Sequence, residues 1–220
     1  MAKQPVSVPR RGRPPLAEAE SHAAILDAVY ELLKKQSVRD LTMEAVARRA
    51  KVGKPTLYKW WPTKAELVLA MFRERILSAH PPPPVPGETA EEAISHAACL
   101  LIRAFKGPLG KVSAELIAEG QSEPEIIRKW FDEHIRHRRA RNAADIERGK
   151  TIGELLAQTD PELVIDSIFG AIYYRLLFRS APLTEQFGKD LVAQVFRGLK
   201  TRSECGEHQL QINSPRSSMK

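Results

Sequence analysis

The 220-residue chain is poor in several features, and each shortage narrows what it can be. It has two cysteines, Cys99 and Cys205, far apart and in no metal-like spacing. Neither a disulfide framework nor a zinc site is expected, and both read as free thiols of a reducing cytosol. No apolar run approaches the roughly 18–20 residues that a helix needs to span a bilayer. The opening MAKQPVSVPRRGRPPL lacks the apolar segment of a secretory signal, so a cytoplasmic place with no membrane partner is expected. No alternating strand pattern and no internal repeat is visible. Glycine-rich phosphate loops, Gly-x-Ser-x-Gly elbows and paired cysteines are missing, as is any convergent acid, base or metal set. An enzyme is therefore not expected, nor a cofactor or metal. His134 and His137 are three apart but too few to hold a metal, and Arg136, Arg138 and Arg139 beside them repel a cation. That segment reads as a solvated or anion-facing helix face.

Charge is present, and it is localised. The net +7 falls entirely in residues 1–80, with 15 Lys and Arg against 8 Asp and Glu, whereas residues 81–220 hold 19 of each. A merely soluble basic surface would spread the excess; this distribution suits one segment that meets a polyanion.

Apolar periodicity predicts an all-α fold. Ile25, Leu26, Val29, Leu32 and Leu33 form one stripe of a first helix. TMEAVARRA is a short second helix capped by Thr42, with Val46, Ala47 and Ala50 inward. After the break KVG, a third helix covers KPTLYKWW, with Pro55 in its first turn and Pro62 as its stop. Thr63 and Glu66 form a capping box for a fourth helix, whose apolar positions are Leu67, Val68, Met71, Phe72 and Leu77. The stiff HPPPPVPGE, residues 80–88, then separates two domains. Beyond it, helices are expected at 90–106 (Thr89 as a cap without a box), 108–120, 122–148 (a Ser122/Glu125 box), 161–180 and 185–200. The organisation is a basic disordered arm at 1–18, a first helical domain at 19–79, a second and larger helical domain at 80–202, and a disordered tail at 203–220.

Residues 42–61 have the size of a helix-turn-helix, whose second helix lies in the DNA major groove. Ala47 is small where the helices cross, and Val46, Val52 and Leu57 can lock their angle. Lys54 and Thr56 stand at the N-terminal end of the second helix, and Pro55 offers an apolar face to a thymine methyl. Tyr58 and Lys59 reach flanking phosphates.

The stretch LTMEAVARRAKVGKPTLYKWWPTKAELVLAMF resembles the signature of the tetracycline-repressor (TetR) family of bacterial transcriptional regulators. The likeness is close over residues 20–75 and architectural beyond. It implies that Thr42, Tyr58, Trp60 and Lys64 meet phosphate or backbone, while Lys54, Pro55 and Thr56 face base edges. Trp61 then packs against the first and fourth helices. It also implies a ligand-responsive homodimeric repressor with double-stranded operator DNA, a second copy of itself and an unknown small-molecule effector as partners. Two positions depart from the family pattern: Lys51 stands at a turn usually held by Gly, and Gly53 at a cap usually held by Ser or Thr. Upstream, PRRGRPP resembles minor-groove hooks, with Arg11 and Arg13 as the contacts. Candidate pocket residues are Phe105, Trp130, Phe131, Phe169 and Tyr173; candidate interface residues are Leu191, Val195, Phe196 and Leu199. The competing readings are a non-specific architectural DNA-binding protein and an all-helical enzyme.

Overall fold

A computed structural model describes residues 16–77 and 87–200, and within them the regular elements are helices, with one isolated antiparallel bridge between Leu155 and Lys200. The arm with Arg11 and Arg13, most of the proline-rich segment, Cys205 and the tail lie outside the described residues. The first helix, α1 (Leu16–Leu33), buries Ile25, Leu26, Val29 and Leu33, the stripe its spacing predicts, while Leu32 packs half-buried at its edge. Next, α2 (Met43–Ala50) starts where the Thr42 hydroxyl accepts from the Ala45 N–H at 3.2 Å. It ends at Lys51, whose φ of 56° lies in the left-handed region. The third, α3 (Lys54–Trp60), begins at Gly53 with no side-chain cap.

The fourth helix, α4 (Lys64–Leu77), is apolar on every side in its middle: Leu67, Val68, Leu69, Ala70, Met71 and Phe72 are all buried. A helix buried all round must be covered by more than one neighbour. On one side lies α1; on the other, Phe72 meets the rings of Trp130 and His134 edge-on at 6.1 and 5.2 Å. At its start the Thr63 hydroxyl accepts from the Glu66 N–H at 3.2 Å, while the Glu66 carboxylate reaches Lys129 at 2.8 Å.

The second half comprises α5 (Ala90–Phe105), α6 (Pro108–Ser122), α7 (Pro124–Trp130), a π-turn (Phe131–Ile135), α8 (Arg136–Thr151), α9 (Pro161–Phe178) and α10 (Glu185–Arg197). Two expected caps are corrected. Thr89 and Glu92 do form a full capping box, because they stand three apart and each side chain reaches the other's backbone N–H. Ser122 instead ends α6, and α7 starts at Glu123 and Pro124 without a side-chain cap. The long helix expected at 122–148 is real in outline but interrupted, since the π-turn widens it at Phe131–Ile135. Gly120 lets α6 and α7 approach closely: a Cβ there would lie 2.1 Å from Ile127 Cγ1.

The apolar packing does not divide at the proline-rich segment. One cluster joins α1–α4 to Val112, Leu116, Ile126 and Trp130 of α6 and α7. A second is built from α5, α8, α9 and α10 around Ile102, Ile146, Ile168 and Phe196.

Candidate nucleic-acid interface

Packing fixes the orientation of α3. Val52 donates to the Ala47 carbonyl at 3.0 Å, closing the turn, and Leu57 is fully buried in the first cluster. Leu57 is the single buried side chain of α3; Lys54, Pro55, Tyr58 and Lys59 face solvent and Thr56 is half-buried. Gly53 accepts from the Thr56 and Leu57 N–H groups at 3.1 and 3.3 Å through its carbonyl. The N-terminal end of α3, where Pro55 has no N–H to offer, presents the Lys54 cation outward, which suits an anion or a base edge.

The paired tryptophans divide their roles. Trp61, only 6% exposed, packs its ring 4.7 Å from His22 of α1. Trp60 is half-buried, 5.5 Å from the same imidazole and nearly perpendicular to Trp61. Burial lowers the His22 pKa, keeping this ring neutral between its aromatic neighbours. Lys64 donates from Nζ to the Arg39 carbonyl at 3.0 Å, so it sits at the turn ahead of α2. Arg48 and Arg49 are exposed in the last turn of α2. Lys54 is already paired: its Nζ lies 2.8 Å from Oε1 of Glu44. No sequence spacing exposes that pair, because the two residues are ten apart on different helices and meet only at the α2–α3 angle.

In the second half, Phe105 and Tyr173 meet edge-on at 5.3 Å and Trp130 lies 6.2 Å from Tyr173. Arg138 donates to the Tyr173 hydroxyl at 3.2 Å, and its guanidinium lies 5.8 Å from the centre of the Phe169 ring. Phe105, Trp130, Phe169 and Tyr173 are thus brought together; Phe131 is not, because the π-turn points it to solvent. His134 is buried rather than solvated, since the same π-turn rotates it toward Phe72. Burial first, then Arg73 and Arg138, push its pKa down to about 4. Trp130 Nε1 and His134 Nε2 are buried without a hydrogen-bond partner, and neither was singled out by sequence as a polar handle. A separate cleft of about 680 Å³ runs between Ser37, Arg39 and Lys64 on one side and Glu115, Glu119 and Glu123 on the other. Among the candidate interface residues, Phe196 is fully buried in its own protomer's core, so it has no surface to offer a partner. Leu191, Val195 and Leu199 are half-buried against that core.

A helix-turn-helix with a solvent-facing basic second helix, set on an all-helical body, defines a DNA-binding regulator. Residues 25–71 match the family described as bacterial regulatory proteins, tetR family, and residues 88–195 match the tetracyclin repressor-like C-terminal domain. The chain is 34% identical over 194 residues to the uncharacterized HTH-type transcriptional regulator YdeS of Bacillus subtilis, covering 88% of this chain and 96% of that one. It is 27% identical over 179 residues to the uncharacterized HTH-type transcriptional regulator Rv1556 of Mycobacterium tuberculosis, covering 81% and 87%. The crystal structure of the TetR family transcription regulator SCO0332 superposes with a TM-score of 0.67 at 29% identity, covering 81% of this chain and 98% of that one. The chain belongs to the tetracycline-repressor family. It is a sequence-specific DNA-binding transcriptional regulator, of a family whose members are typically ligand-responsive homodimeric repressors rather than enzymes. No helix among the described residues is long and apolar enough to cross a membrane, and no group of three or more His, Cys, Asp or Glu there could hold a metal.

Proposed function

We propose that this chain is a cytoplasmic homodimeric repressor whose two α3 helices enter successive major grooves of a palindromic operator. Half-sites one turn apart would be read about 34–36 Å centre to centre. Lys54, Pro55 and Thr56 face base edges; Thr42, Tyr58, Lys59, Trp60 and Lys64 hold phosphates; Arg11 and Arg13 of the arm reach the minor groove. The observation that carries this reading is the exposure pattern of α3, where Leu57 alone is buried and Lys54, Pro55, Tyr58 and Lys59 face solvent.

The effector is a small molecule with an apolar body and at least one hydrogen-bonding group, held among Phe105, Trp130, Phe169 and Tyr173. Trp130 Nε1, and His134 Nε2 with the Glu133 carboxylate no nearer than 4.0 Å, lack hydrogen-bond partners and support the polar handle, since buried polar groups ordinarily find partners. Trp130 and His134 both touch Phe72 of α4, the helix that continues from α3, so a ligand that moves them displaces the recognition helices. By linkage, operator DNA then weakens effector binding by the same factor.

Selection from a randomised duplex pool with the full chain tests the DNA half. A palindromic consensus is expected; a pool that enriches no sequence would return the chain to the architectural class.

A further inference from the structure

Glu44 lies in the first turn of α2, yet its carboxylate reaches α3, where Oε1 stands 2.8 Å from Lys54 Nζ. Both side chains are about half exposed, and an exposed pair of this kind adds little to stability. Phosphates would repel the carboxylate. Its place beside a cation on the face that meets DNA therefore calls for a partner other than the backbone, and the base edges supply one.

We propose that Glu44 and Lys54 act as one unit that reads a guanine–cytosine pair in the major groove. The Lys54 ammonium donates to guanine O6, and the Glu44 carboxylate accepts from N4–H of the paired cytosine. The spacing fits, because O6 and N4 are joined by an ordinary N–H···O bond of about 2.7–3.2 Å, and the ion pair spans the same interval. The four groups then alternate donor and acceptor around a closed ring. Each residue also holds its partner ionised: the Glu44 pKa is lowered by the Lys54 hydrogen bond, and that of Lys54 is raised by Glu44.

The order of groups across the groove discriminates. From purine to pyrimidine, a G·C pair presents acceptor, acceptor, donor, so guanine N7 adds to the cation's side. A C·G pair presents the reverse, and would set the ammonium against an amino group. An A·T pair is reversed likewise. A T·A pair matches O4 and N6 but places adenine N7 beside the carboxylate, where two acceptors repel.

The inference rests on α3 being the recognition helix, and the test separates the two. Full-length wild type, Glu44→Ala, Lys54→Met and the double variant are each used to select from a randomised duplex pool. Their affinities are then measured by fluorescence anisotropy on the wild-type consensus, with all four base pairs placed at the position that Lys54→Met relaxes. Glu44→Ala should lose the G·C preference at that same position, by roughly 5- to 150-fold. It should also bind non-consensus duplex more tightly, and the double variant should be no less selective than either single one. Retention of the preference in Glu44→Ala, with Lys54→Met still relaxing it, overturns the paired readout and leaves Lys54 as a lone reader. No effect of Lys54→Met at any position overturns the α3 assignment as well. Both side chains are exposed, and unchanged melting temperatures check that the variants fold.

Discussion

The Glu115 carboxylate accepts a hydrogen bond from the Val38 N–H at 2.7 Å, tying α6 to the turn ahead of α2. Lys111 adds a second tie, donating to the Gln36 carbonyl at 2.8 Å. Val38 is fully buried, so its N–H has poor access to water once the carboxylate is gone. Glu115→Ala should therefore destabilise the chain by about 1–3 kcal/mol, the cost of a buried unsatisfied donor. For a chain of this size that lowers the melting temperature by roughly 2–4 °C per kcal/mol. An unchanged melting temperature would mean that the Lys111 tie and the apolar contacts suffice to hold the turn.

Lys51 holds the left-handed position at the end of α2 (φ 56°, ψ 38°), a conformation that costs a residue with a Cβ about 1–2 kcal/mol. Glycine adopts it freely but loses more entropy on folding, so Lys51→Gly should gain about 0.5–1 kcal/mol net. Lys51→Ala keeps the strain and removes the charge. Urea unfolding of both variants separates the terms: a gain in Gly but not in Ala is expected. Equal midpoints would locate the effect in charge.

His134 is neutral in the folded chain, with its pKa pushed from 6.5 down to about 4. In the unfolded chain it protonates near 6.5, so between those values the unfolded state binds more protons. Stability is then full above pH 6.5 and falls as the pH drops toward 4, by on the order of 3 kcal/mol at most. His134→Gln should flatten that part of the pH–stability curve relative to wild type. Parallel curves for the two chains between pH 7 and 4.5 would show that His134 is not the group that titrates.

How much of this was legible in the sequence depends on the range of the interaction. The first three helices follow from Ile25–Leu33 periodicity, the Thr42 cap and the KVG break, all of which act within a few residues. The strain at Lys51 was legible for the same reason. The π-turn was not: nothing in FDEHI marks an extra residue per turn, and it alone decides that His134 faces inward and Phe131 outward. The Glu44–Lys54 pair, the Glu115–Val38 tie and the joining of α6 and α7 to the first core all need the angles between helices, which no local pattern carries. On α9 the difficulty is of another kind. SIFGAIYYRLLF is apolar nearly all round, so periodicity cannot tell the face that packs inward from one left for a partner.

The structure separates those faces, and with them the sharpest test of assembly. Val164, Ile165, Ile168, Phe169 and Ile172 of α9 are buried, whereas Leu163, Ser167, Gly170, Tyr174 and Phe178 are exposed. Among the exposed residues of α9 these five recur at three- and four-residue steps, so they form one stripe along the helix. Leu163 and Phe178 are 66% and 69% exposed, Tyr174 and Phe178 stack at 4.8 Å, and a Cβ on Gly170 would meet nothing within 4 Å. An apolar stripe with a bare glycine at its centre suits close approach of a second helix, and a twofold dimer would bring α9 against its mate, with α10 alongside. Leu191 and Val195 are poor sites for a test, because a charge there would disrupt the protomer's own core. Leu163→Arg and Phe178→Arg avoid that, since neither side chain supports the protomer. Each should leave helicity and the protomer fold intact while shifting the chain from dimer to monomer in sedimentation. Operator affinity should fall at the same time, because the two α3 helices are no longer linked. Persistence of the dimer in both variants would move the interface off α9.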